Sequence, residues 1–265
     1  EVHKGCGRCR NCIMGKYTVC LNYGNAAKGH RANGFTTNGG FAQYAVNHVN
    51  TLIKLPNTIS LDEATTITTA GTSLYGIDMA GGYIPGDTVA VLGPGSIGLM
   101  AIQCSKALGA GQVILTGTRD NRLALGGKLG ADVTVNVNNT DPVAAIKALT
   151  GGRGADFVLV ASGQEDSLQQ ALEMTRKGGD ITVLAHFEKP VMTDIGLAVK
   201  NGINLYTVRG EGRMSCHRAL SLMEEGKING EALITHTFPL EDMNEALATF
   251  VERREDALKV VVHPH

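Results

Sequence analysis

The reactive side chains of this sequence gather at its start. Cys6, Cys9, Cys12 and Cys20 follow the spacing C-x2-C-x2-C-x7-C, with glycines at 5, 7 and 15 that let the backbone wrap tightly around one point. Four thiolates so placed close a tetrahedron around zinc and leave no coordination position for a substrate, so the ion they imply is structural. Two other readings stand beside this one. A pair of disulfides fits poorly with a chain that opens on Glu1-Val2-His3-Lys4, which does not read as a secretory signal. An iron–sulfur cluster draws on the same kind of cysteine set. Cys104 and Cys216 are isolated, and Cys104 falls on an apolar helical face, where it reads as core.

A second pattern points to a different chemistry. Gly93-Pro94-Gly95-Ser96-Ile97-Gly98 has the form G-x-G-x-x-G. Alone that is weak, and its context decides. Thr88 to Leu92 is a short, apolar, β-branched run, as a buried parallel strand requires. Beyond it Ile97, Met100, Ala101, Cys104 and Leu108 recur at helical spacing, Gly109 closes the helix, and Gln112 to Thr116 begins a second strand. Strand, glycine loop, helix and strand in that order form a βαβ unit in which the loop admits a pyrophosphate and the helix N-terminus presents N–H groups to it. Further strand-like runs at 132–137, 156–160, 180–185 and 203–208 alternate with helix-like segments at 120–129, 141–149 and 165–176, with Gly178-Gly179 reading as the end of the last. Such alternation predicts an α/β protein with a doubly wound parallel sheet of the Rossmann type.

The tip of the second strand bears on which dinucleotide binds. An NAD site places Asp or Glu there against the ribose hydroxyls. Here the strand ends Gly117-Thr118-Arg119, and Asp120 reads as the N-cap of the next helix. Gly117 is read as leaving room, Thr118 as a hydrogen-bond donor, and Arg119 and Arg122 as partners for a 2′-phosphate. NADP is favoured, with NAD as the alternative.

Bulk composition excludes several function classes. Lys and Arg number 24 against 25 Asp and Glu, so no charge block suggests nucleic acid. No run of 18 apolar residues suggests a membrane span, and the default expectation is a cytoplasmic protein. A length of 265 residues accommodates one large domain or two ordinary ones.

The cysteine lobe followed by the glycine loop resembles the medium-chain dehydrogenase/reductase superfamily, in its zinc-dependent alcohol, sorbitol and threonine dehydrogenase branch. Residues 39–44 (GGFAQY) and 234–241 (ITHTFPLE) match that pattern too. The resemblance implies an incomplete GroES-like β domain with a structural zinc lobe over 1–70, a Rossmann domain over 71–210, and a return to the first domain over 211–265. It implies further cofactor contacts at Ser162, Leu184, Arg209 and Lys259, and a homo-oligomer, dimer or tetramer, acting on a small alcohol or polyol. The implied reaction is hydride transfer between NADP(H) and a secondary alcohol or polyol.

The sequence also departs from that branch. Two ligands of the family's catalytic zinc precede the cysteine lobe and are not in this chain, and the third aligns with Thr69, whose neutral hydroxyl is a poor zinc ligand. A catalytic zinc is therefore left open, with Glu63 or water as substitute donors. The alternative function is a non-catalytic, truncated cofactor- and zinc-binding remnant. The further expectation is that residues 1–265 alone are poorly soluble or inactive as a dehydrogenase.

Overall fold

The structure, a computed structural model, describes residues 1–212 and 214–264. The chain forms two compact units, one of Glu1–Gly71, Arg209–Glu225 and Asn229–His265, the other of Thr72–Val208 with Gly226–Ile228.

In chain order the first elements are short: α1 (Arg10–Ile13) and α2 (Leu61–Ala64), then the longer α3 (Ile67–Met79). Ser60 starts α2 by accepting the Glu63 N–H on its hydroxyl, a side-chain N-cap. The remainder of 1–71 holds three short 3-10 turns, Tyr17–Val19, Ala26–Lys28 and Val49–Thr51, and a single β-bridge between Asn33 and Thr37 among the described residues. Phe41, Tyr44 and Val46 are exposed in this stretch.

The second unit continues with β1 (Thr88–Leu92), α4 (Ser96–Ala107), β2 (Gln112–Gly117), α5 (Asp120–Lys128), β3 (Val133–Asn136), α6 (Pro142–Leu149), β4 (Ala155–Val160), α7 (Ser167–Met174), β5 (Thr175–Val183), α8 (Ile195–Asn201) and β6 (Asn204–Thr207). Its six strands are all parallel, in the order β3-β2-β1-β4-β5-β6. The chain winds outward from β1 to β3, then returns to lay β4 on the other side of β1. That reversal leaves a crevice at the carboxyl ends of β1 and β4, where such sheets take ligands. All five residues of β1 are buried, because a central parallel strand meets other chain on both faces. Each buried Val or Leu there contributes about 1.5–3 kcal/mol, so a charged residue at Val91 would break the sheet at its middle.

Three details differ from the sequence reading. Gly178-Gly179 lies inside β5, and α7 ends four residues earlier, at Met174. The glycines serve a bulge: the β4–β5 register steps from Ala155–Thr175 to Phe157–Asp180, and a Cβ on Gly179 would stand 2.9 Å from the Asp156 carbonyl oxygen. Asp120 is the first residue of α5, while Arg119 takes the cap position. Gly117, expected to leave space, has its Cβ position filled by the Pro94 ring.

The first unit closes with α9 (Ser215–Glu224), β7 (Ile234–Pro239), α10 (Met243–Glu252) and β8 (Lys259–His263), in which β7 and β8 pair in parallel around α10.

Candidate functional site

The four N-terminal cysteines converge. Cys9 caps α1, Cys12 rides on it, and Cys20 follows a 3-10 turn over Tyr17–Val19. The Asn11 amide ties the turn to the helix by donating to the Val19 carbonyl at 2.7 Å. The backbone at Gly5 passes so close that a Cβ there would lie 2.5 Å from Cys12 Sγ. The four Sγ atoms all lie within 4.8 Å of one another, with Cys9 and Cys20 3.9 Å apart. Tetrahedral zinc with bonds of about 2.3 Å sets its sulfurs about 3.8 Å apart, so this sulfur-only cage fits one such ion. It is too tight to enclose a multi-iron cluster, and none of the four is in a disulfide.

The cage is electrostatically uneven. Asn22 donates its amide to Cys6 Sγ at 3.2 Å and its backbone N–H to Cys20 Sγ at 3.4 Å. The first bond draws the Cys6 thiol down to about 6. Burial pushes Cys12 up to about 12 and Cys20 in the same direction. Asn22 thus orients two sulfurs at once, as partners of metal ligands do. The sequence reading missed it, though an amide two residues past the last cysteine is a usable signal.

In the second unit the glycine loop joins β1 to α4. Gly93 adopts φ +102°, open to glycine alone at low cost, and Gly98 approaches the loop so closely that a Cβ would fall 1.9 Å from the Gly93 carbonyl oxygen. No side chain caps α4 at Gly95, and the space where its Cβ would point is empty. An uncapped helix start facing open space fits a pyrophosphate group. Ser96 and Ile97 form the first turn of α4, and the Ile97 carbonyl accepts a hydrogen bond from the Ser73 hydroxyl. Pro94 is buried, with its ring against Gly117: a Cβ on Gly117 would meet Pro94 Cδ at 2.5 Å.

Beyond Gly117, Thr118 is exposed and Arg119 half-buried. Arg122, expected to reach a phosphate, is only 4% exposed in α5, so Arg119 is the accessible cation of the pair. Ser162 follows β4, and its carbonyl accepts the Ser167 hydroxyl at 3.0 Å. Leu184 follows β5 and is buried. The glycine loop, Thr118, Ser162 and Leu184 therefore all sit at the carboxyl ends of strands of one sheet.

The remaining candidates lie in the first unit. The Arg209 guanidinium stacks over the Tyr23 ring, 4.4 Å from its centre. Lys259 donates to the Thr65 carbonyl at 3.1 Å, and burial lowers its pKa. Thr69 is half-buried in α3. Glu63, considered as a metal donor, accepts the Gly230 N–H at 2.9 Å. Among the described residues, the cysteine set alone groups three or more His, Cys, Asp or Glu at metal-binding distances.

Known proteins resemble the chain throughout. The family described as zinc-binding dehydrogenase matches residues 96–225. An L-threonine 3-dehydrogenase of Bacillus velezensis is 32% identical over all of this chain and 74% of its own length. A sorbitol dehydrogenase of Bacillus subtilis is 27% identical over 98% of this chain and 72% of its own. A solved dehydrogenase of the zinc-binding class from Sinorhizobium meliloti, bound to NADP, superposes with a TM-score of 0.89 at 25% identity, covering 100% of this chain and 75% of the other.

Proposed function

Because the chain belongs to the zinc-dependent branch of the medium-chain dehydrogenase/reductase superfamily, with the alcohol and polyol oxidoreductases, we propose that it transfers hydride between NADP(H) and a secondary alcohol or polyol. The observation that carries the cofactor choice is the tip of β2. Pro94 fills the place from which a carboxylate at residue 117 would reach a ribose, and Thr118 and Arg119 stand there instead. A hydroxyl and a guanidinium suit a 2′-phosphate, which a carboxylate would repel. The NADP-bound Sinorhizobium relative supports the same choice.

In this reading the second unit is the dinucleotide-binding domain. The start of α4 receives the pyrophosphate, and Gly93, Gly95 and Gly98 let it approach the backbone. Ser162 and Leu184 line the crevice beyond. Arg209 and Lys259, the further cofactor contacts that the resemblance implies, belong to the first unit. The bound nicotinamide supplies the hydride chemistry, and the protein's share is to hold it in place. Cys6, Cys9, Cys12 and Cys20 hold a structural zinc with no open position. Thr69, at the family's third catalytic-ligand position, offers a neutral hydroxyl that does not suit zinc.

The test pairs fluorescence titration of NADPH and NADH with oxidation of a panel of secondary alcohols and polyols. Tighter binding of NADPH, with NADP-dependent oxidation of at least one member of the panel, is expected. Tighter binding of NADH overturns the cofactor assignment, and oxidation of no member of the panel overturns the hydride-transfer reading in favour of a non-catalytic cofactor- and zinc-binding protein.

A further inference from the structure

The tip of β2 is held from one side by two asparagines, Asn136 at the end of β3 and Asn138 just beyond it. Asn136 stands opposite Gly117 in the parallel ladder, and the Val137 N–H donates to the Gly117 carbonyl at 2.9 Å. Asn136 Oδ1 accepts the Asn138 N–H at 3.0 Å. That bond fixes the amide and turns Nδ2 to the Asp120 carboxylate, which accepts at 2.6 Å. The opposite amide orientation would set a carbonyl oxygen against the carboxylate. Asn138 Nδ2 donates to the Thr118 carbonyl at 2.9 Å.

The pattern of what is held and what is left is selective. The carbonyls of Gly117 and Thr118 and the carboxylate of Asp120 are all taken up by residues 136–138. The Thr118 hydroxyl and the Arg119 guanidinium have no partner among the described residues. Asp120 is the carboxylate adjacent to this turn, and its negative charge would oppose a second anion there. A flexible turn would also lose affinity, because ordering it on binding costs free energy that a preorganised turn does not lose.

We propose that Asn136 and Asn138 are positioning residues for cofactor selectivity: they fix the Thr118–Arg119 turn as a receptor for the 2′-phosphate of the adenosine ribose and hold the Asp120 carboxylate against β3. The proposal rests on the NADP reading and deepens it. It assigns the selectivity to side chains that need not touch the cofactor.

The experiment compares two ligands that differ only in the group at issue, adenosine 2′,5′-bisphosphate and AMP, by calorimetric titration of the whole chain. Asn138→Ala is expected to weaken bisphosphate binding about tenfold and leave AMP binding unchanged. Asn136→Ala is expected to do the same, and adding Asp120→Asn to it is expected to restore most of the loss, because the released charge is then gone. Equal weakening of both ligands, or no restoration by Asp120→Asn, overturns the proposal and leaves the asparagines a purely structural role. Thermal unfolding checks that each variant is folded, and Asn138→Ala, altering an exposed side chain, carries the test if Asn136→Ala does not fold. If the unaltered protein binds the two ligands alike, the NADP reading itself fails and the proposal falls with it. If it prefers the bisphosphate and every variant keeps that preference, only the positioning role fails.

Discussion

Gly98 and Gly117 lack side chains for different reasons. At Gly98 the obstacle is the loop's own carbonyl at 1.9 Å, so Gly98→Ala must displace backbone. A loss of about 1–3 kcal/mol in stability is expected by thermal unfolding, together with loss of dinucleotide binding by titration. At Gly117 the obstacle is the Pro94 ring. Gly117→Asp is therefore expected to unfold more easily without gaining NADH affinity, and Gly117→Asp with Pro94→Ala to gain it. The first glycine was legible from its motif; the second was misread, because the clash joins residues 23 apart in sequence and no local pattern records it. Asp156 illustrates another contact of that kind. Burial works to raise its pKa, but the Thr88 N–H at 2.9 Å, Arg176 and the nearby Arg153 outweigh that, and the carboxyl lies below its ordinary range. With the folded value below an unfolded value of about 3.9, its stabilisation is complete above that pH and is lost as pH falls through the folded value. Urea unfolding at neutral and acid pH is expected to show a steeper acid loss for the parent than for Asp156→Asn; parallel losses would remove Asp156 from the account.

Among the elements, the turn from α10 into β8 carries unusual backbone strain. Arg253, Glu255 and Asp256 adopt φ of 56°, 46° and 59°, a left-handed region that disfavours residues with a Cβ. Arg254 holds the turn from outside, pairing with Glu245 at 2.7 Å and Glu252 at 2.8 Å. Glu255→Gly is expected to stabilise the chain by about 0.5–1 kcal/mol, read as a small rise in Tm. No change or a fall would show that the ion pairs, rather than glycine-like freedom, decide this turn. The sequence does not announce it, since Arg-Arg-Glu-Asp reads as a charged surface stretch. The glycine pair in β5 misled in the opposite direction: two adjacent glycines after a helical pattern suggest a helix stop, and only the register step against β4 shows a bulge. Strands β1, β2 and β4 were readable because central parallel strands are buried on both faces and so carry runs of consecutive apolar residues, Val89–Leu92, Val113–Leu115 and Phe157–Val160. Arg122 was misplaced because α5 turns it to its buried face, a matter of helical phase and not of residue type.

For the whole molecule, the cysteine spacing and the glycine loop together carry the family's signature in the sequence. They said little about the residues that position them, such as Asn22 beside the cysteine cage or Asn136 and Asn138 beside β2. The cage makes a direct demand on composition: Cys12→Ser is expected to lower zinc content by about one equivalent per chain, measured by emission spectrometry, since three thiolates close no tetrahedron. Unchanged zinc would place the metal elsewhere. The strand order also sets a sequence of events during synthesis. β1 finds β2 soon after both are made, but its other edge waits for β4, whose register partner for Val89 is Phe157. Until those intervening residues emerge and the loop closes, a mainly apolar strand keeps one edge open, the condition that favours association with other chains. The central strand that anchors the finished sheet is thus its most vulnerable part while the chain is being made.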